Sequence, residues 1–128
     1  MNKFPIVKNA SCNAAVQAVD QSTTPYAWPS GRLQIFDAST TMLTWLPFSV
    51  PAFLPAVDGT SLSNFIADAT AFVDGTASRF LVVNRDQTPC WGGSIVQNPY
   101  VGDMHLNQVS ISQDQTVSIT LARYIVPA

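Results

Sequence analysis

One histidine, two cysteines and eight aspartates are the side chains of this 128-residue chain best suited to acid–base, nucleophilic or metal-binding chemistry. Nucleophilic hydrolysis needs a serine or cysteine beside a base and an orienting acid. The sole histidine, His105, lies in Met104-His105-Leu106, and no Gly-x-Ser-x-Gly elbow occurs. His105 therefore reads as a hydrogen-bonded or exposed strand residue. Cys12 and Cys90 stand far apart with no Cys-x-x-Cys spacing, which removes the zinc and dithiol motifs and favours buried thiols over a bridge. Asp58-Gly59, Asp74-Gly75 and Asp86 look like turn residues rather than calcium ligands. Glycosidase carboxylates could be any two of the aspartates, but nothing in the sequence fixes their separation. Phosphate-binding glycine motifs are missing. The expectation is a protein that is not an enzyme and has no cofactor and no metal.

Composition narrows the class further. Only 11% of residues are charged, against about 25% in an average soluble domain, so much of the surface must be neutral or apolar and suited to contact. The net charge is −2 and the six basic residues are scattered, which offers no stripe for a nucleic-acid backbone. No apolar run approaches the length of a membrane span, and the first residues lack the apolar core of a secretory signal. A soluble single domain over residues 1–128 is expected. Every acidic residue is aspartate, and the two lysines, Lys3 and Lys8, stand at the start. Aspartate serves turns and caps, whereas glutamate and lysine populate exposed helices, so helices should be few. Abundant Thr, Ser and Val suit a pleated sheet.

The elements follow from periodicity. Cys12, Val16 and Val19 space a narrow apolar stripe over Asn9 to Asp20, predicting a short helix capped by Asn9 or Ser11. Residues 1–30 then form an N-terminal helix and connecting arm that delivers Tyr26 and Trp28. Arg32 to Asp37 and Thr41 to Leu46 should pair as a hairpin across Asp37-Ala-Ser-Thr, with Leu43 and Trp45 opposing Met42, Thr44 and Leu46. Trp45 to Val57 carries three prolines and no charge, which excludes a central strand and predicts an edge or irregular arm with apolar side chains in need of cover. Ser61 to Val73 fits either a helical face or a strand, and strand is preferred. Arg79 to Asn84 should pair with Cys90 to Val96, in which Gly92-Gly93 marks a bulge or a close approach. Met104 to Ser112 and Thr116 to Val126 should form the last pair, with Val117, Ile119, Leu121 and Ile125 buried and Arg123 at a rim. The predicted fold is mainly β: an antiparallel β-sandwich or small barrel with one short N-terminal helix.

The candidate contact residues are Trp45, Phe48, Phe53 and Leu54 of the uncharged arm, with Tyr26 and Trp28 as secondary anchors. The competing reading is that they close one end of the monomer core. In a carbohydrate- or receptor-binding β module, Trp28, Trp45 or Trp91 would stack on a sugar face.

Five short stretches carry a resemblance. Asn9-Ala10-Ser11-Cys12-Asn13-Ala14-Ala15-Val16 precedes Gly31-Arg32-Leu33-Gln34-Ile35-Phe36, Asp74-Gly75-Thr76-Ala77-Ser78-Arg79-Phe80 runs into an aromatic strand, and Gln115 to Thr120 is followed by Val126-Pro127-Ala128. This arrangement resembles short structural proteins of tailed-bacteriophage virions, of the capsid decoration or cement type, with the proline-rich Trp45 to Val57 as a departure. The resemblance implies a protein assembled in the host cytoplasm and placed on the capsid surface. There it would brace the major capsid protein or other virion proteins as a homo-oligomer, such as a trimer, without contacting nucleic acid or membrane. A tail or head–tail connector protein is the alternative within that class.

Overall fold

The computed structural model describes residues 5–22, 27–95, 104–106 and 109–125. The chain is mainly β, built from antiparallel sheets and one short helix, with no closed barrel among the described residues. Helix α1 spans Pro5–Gln17 and tightens into a 3₁₀ turn at Ala18–Asp20. It starts four residues before the expected Asn9, because proline is well tolerated in a first helical turn. Asn9 therefore lies inside the helix and does not cap it. The stripe itself is as expected, with Cys12, Val16 and Val19 buried.

Strands β1 (Arg32–Phe36) and β2 (Met42–Pro47) form the first hairpin, and β6 (Arg79–Val83) with β7 (Pro89–Ser94) the second. They join as one sheet in the order β2-β1-β6-β7. Side-chain turn chemistry closes both loops. Asp37 Oδ1 accepts the amides of Ser39 and Thr41, and Asn84 Oδ1 accepts those of Asp86 and Thr88. Gly92 is required by a close approach, since a Cβ there would stand 2.6 Å from the Phe80 carbonyl oxygen.

A second sheet has the order β3-β11-β8, from Thr60–Leu62, Ile119–Ile125 and Met104–Leu106. Two short pairs complete the fold: β4 (Ala69–Thr70) with β10 (Thr116–Val117), and β5 (Gly75–Thr76) with β9 (Ser110–Ile111). The expected last pair is thus realised only at its far end, where β8 meets β11. Nearer the Gln113-Asp114-Gln115 turn its two halves diverge to take β5 and β4 as partners. Ser61 to Val73 is extended and broken, not helical. Its would-be helical face is largely outside, with Leu62, Phe65 and Val73 exposed.

Register shifts interrupt three strand pairs, β1–β2, β6–β7 and β8–β11, and those in β2 and β11 reset which side chains point inward. Ile35 pairs with Thr44 and Phe36 with Met42, so Leu43 is an extra residue, and Leu43, Thr44 and Leu46 are all buried. The expected alternation therefore holds for Trp45, which opposes the buried Thr44 and Leu46, and fails at Leu43, which is buried with them. In β11, Ile119 pairs with Leu106 and Leu121 with His105, and beyond that irregularity Ala122 is buried and Tyr124 packs on the core. Val117 is buried as expected. The side chains of Leu121 and Ile125 lie outside the described residues, and Arg123 is partly exposed.

One continuous core takes Val16 and Val19 from the helix, Leu33, Leu46 and Val82 from the four-stranded sheet, and Met104, Leu106 and Ala122 from the three-stranded sheet. Helix and first sheet meet at Gly31, where a Cβ would fall 2.5 Å from Val19 Cγ1 and 2.8 Å from the carbonyl oxygens of Val19 and Val83.

Candidate contact surface

Residues 48–66 carry the densest group of exposed apolar side chains. The chain turns back on itself at Asp58-Gly59, both with positive φ (53° and 76°), as a two-residue hairpin turn requires. Val57 and Thr60 exchange amide–carbonyl bonds across that turn, and the Leu54 amide donates to the Leu62 carbonyl at 2.8 Å. Leu54 and Leu62 thereby sit side by side, and with Pro55, Val57 and Thr60 they line a shallow groove of about 270 Å³. Val57 is 69% exposed and Phe65 72%, with Val50, Leu54 and Leu62 near half. The Ser49 hydroxyl donates to the Phe65 carbonyl, which keeps Phe65 beside the first half of the arm. From Met42 to Val57 and from Gly59 to Ala67 no residue is charged.

The helix holds this arm by its backbone. Asn9 Oδ1 accepts the Gly59 amide at 2.8 Å, Asn13 Oδ1 accepts the Ala56 amide at 2.9 Å, and the Asp20 carboxylate accepts the Ala52 amide at 3.1 and 3.2 Å. These three acceptors satisfy amides that a proline-broken segment cannot place in a regular ladder. Burial pushes the Asp20 carboxyl upward, opposed by the Ala52 hydrogen bond and the charge of Arg85. The device leaves Val50, Leu54 and Val57 turned to solvent.

The six candidate residues separate into distinct places. Leu54 is on the exposed hairpin. Phe48 and Phe53 are buried in the core, so their rings do not belong to the free surface. They begin an aromatic chain, Phe48–Phe53–Trp91–Tyr124, with centroids 5.6, 5.4 and 4.8 Å apart, that ties the arm to β7 and β11. Trp28 and Trp45 are half-buried, and each has the Arg32 guanidinium against its ring, at 3.5 and 3.7 Å. Tyr26 lies outside the described residues. Val50, Val57, Leu62, Phe65 and Arg32 were not singled out by sequence reasoning. The Asp-Gly turn was the signal that could have found Val57 and Leu62, because it fixes a hairpin with both flanks in a stretch of low charge.

Nothing in this geometry gathers reactive groups. Among the described residues no three His, Cys, Asp or Glu side chains come together as metal ligands. Both cysteines are free thiols, and burial raises the pKa of each, which keeps them protonated and weakly nucleophilic. Asp37 and Asp74 spend side-chain oxygens on backbone amides of turns. The His105 side chain is outside the described residues, and no described helix is long and apolar enough to cross a membrane. A sugar would find one face of Trp28 and of Trp45 taken by Arg32, and Trp91 flanked by Phe53 and Tyr124. No family model, curated protein or solved structure matches this chain.

Proposed function

We propose that this chain is a non-enzymatic structural protein of a tailed-phage virion, and that it works as a capsid decoration protein, binding the shell and bracing neighbouring subunits. The observation that carries the reading is the exposed, uncharged hairpin of Leu54, Val57 and Leu62, with Val50 and Phe65 beside it, held in place by the helix. Exposed apolar side chains grouped in this way on a small domain support an interaction site. Covering a side chain that is already half-buried contributes on the order of 1 kcal/mol, half the value for full burial, so one copy holds weakly and repetition over a symmetric shell supplies strength. The resemblance of the helix, the Asp-Gly-Thr-Ala segment and the final strand to short virion proteins supports placing it there. A heat-release assay tests it: empty capsids that lack the chain should rupture at a lower temperature than the same capsids after purified chain is added. Equal rupture temperatures would count against a bracing role.

A further inference from the structure

The second feature of the surface is an arginine held between two indoles. Arg32 stands on β1, a central strand, paired with Pro47 of β2 and Val83 of β6. Its guanidinium carbon lies 3.5 Å from the ring centroid of Trp28 and 3.7 Å from that of Trp45. Two indoles that close must cover different sides of the group, so a partner can reach it only at its N–H edges, and Arg32 remains partly exposed. No hydrogen-bond acceptor for those donors occurs among the described residues, whereas the Arg79 and Arg85 side chains donate to Thr40 and to the Trp28 carbonyl. Arg85 Nε donates to the Trp28 carbonyl at 2.8 Å and the Trp28 amide donates to the Arg85 carbonyl at 3.0 Å, so Trp28 is pinned from both sides. Trp45 is fixed in β2 opposite Gln34.

We propose that Arg32, clamped between Trp28 and Trp45, is a carboxylate-binding site that receives an aspartate or glutamate side chain of a partner protein. A guanidinium presents its donors as a planar fork that matches a carboxylate in two parallel bonds. Clamping it in advance removes much of the ordering cost that a free surface arginine meets on binding. Arg with flanking Trp is also the residue set that dominates protein–protein hot spots. A polyanion fits less well, because six scattered basic residues and a net charge of −2 give no track for successive phosphates. The site is separate from the hairpin and does not depend on the virion reading.

Two-dimensional NMR of the full chain tests the site, following the Arg32 side-chain N–H and the Trp28 and Trp45 indole N–H signals. The titrants are N-acetyl-aspartate amide and, separately, inorganic phosphate. The aspartate probe should shift these signals saturably, and Arg32→Lys, which keeps the charge but not the fork, should weaken binding by about tenfold or more. Linear, unsaturated shifts in the wild type, equal affinity in Arg32→Lys, or stronger binding of phosphate than of aspartate would overturn the assignment. The wild-type titration decides even if the variant folds poorly. The source of the carboxylate is read from sedimentation velocity. Self-association lost in Arg32→Lys assigns it to a second copy, and an unchanged monomer assigns it to another protein.

Discussion

The Ser61 hydroxyl donates to the Leu54 carbonyl oxygen at 2.6 Å from a fully buried position, while the next residue, Leu62, is 48% exposed. A serine inside and a leucine outside inverts the usual preference. The inversion is stable because the serine supplies a donor to a segment whose prolines cannot sustain a ladder, and Thr44 does the same for Thr70 across another irregular edge. The cost is an apolar side chain at the surface, and that side chain is part of the contact surface proposed here.

Ser61→Ala should therefore lower stability by about 1–2 kcal/mol, the loss of one hydrogen bond at a buried position. Chemical denaturation monitored by tryptophan fluorescence measures this. A neutral result would mean that Leu54 finds another donor.

Asp20 gives a pH signature. Its folded pKa is raised by burial, so the folded state holds the proton more tightly than the unfolded chain does. That contribution is present below the unfolded value of about 3.9 and is lost as pH rises through the folded value. Asp20→Asn keeps an acceptor for the Ala52 amide without the charge. Its stability relative to wild type should improve as pH is raised across this window and then level off, as read from urea midpoints; a constant gap would contradict the account.

Phe53 and Phe65 should behave as opposites. Phe53→Ser opens the core and its contact with Trp91, and by comparison with large-to-small aromatic truncations it should cost about 3–5 kcal/mol. Phe65→Ser removes an exposed ring, should stay within about 0.5 kcal/mol of wild type, and should weaken assembly. Thermal melts and native mass separate the two effects.

Gly31→Ala should destabilise the chain by about 1–3 kcal/mol, since the added methyl meets two backbone carbonyls that cannot move independently. A folded variant with an unchanged melting temperature would show that the helix end and the sheet can separate without cost.

Much of this architecture was legible in the residues. The β1–β2 and β6–β7 hairpins follow from period-two runs and turn residues, and Gly92-Gly93 marks a real close approach. What escaped was phase and docking. The irregularities at Leu43 and within β11 each shift the alternation by one position, and no local pattern announces them. Phe48 and Phe53 were expected at a surface because proline excludes a central strand. They are buried in an arm whose amides Asn9, Asn13 and Asp20 capture, a tertiary arrangement made by residues that in isolation resemble helix caps. Arg32 read as one more polar position of a strand, since only the fold brings Trp28 and Trp45 to it.

The central proposal is that the exposed hairpin joins copies of this chain to a shell. Light scattering of the purified chain across concentration, with and without empty tailed-phage capsids that lack the chain, tests it most directly, using a Leu62→Ser, Phe65→Ser double variant as control. The account predicts a small oligomer that adds to capsids and a folded variant that does neither. A wild-type chain that stays monomeric and ignores capsids, or a variant that binds them as well as wild type, would contradict it.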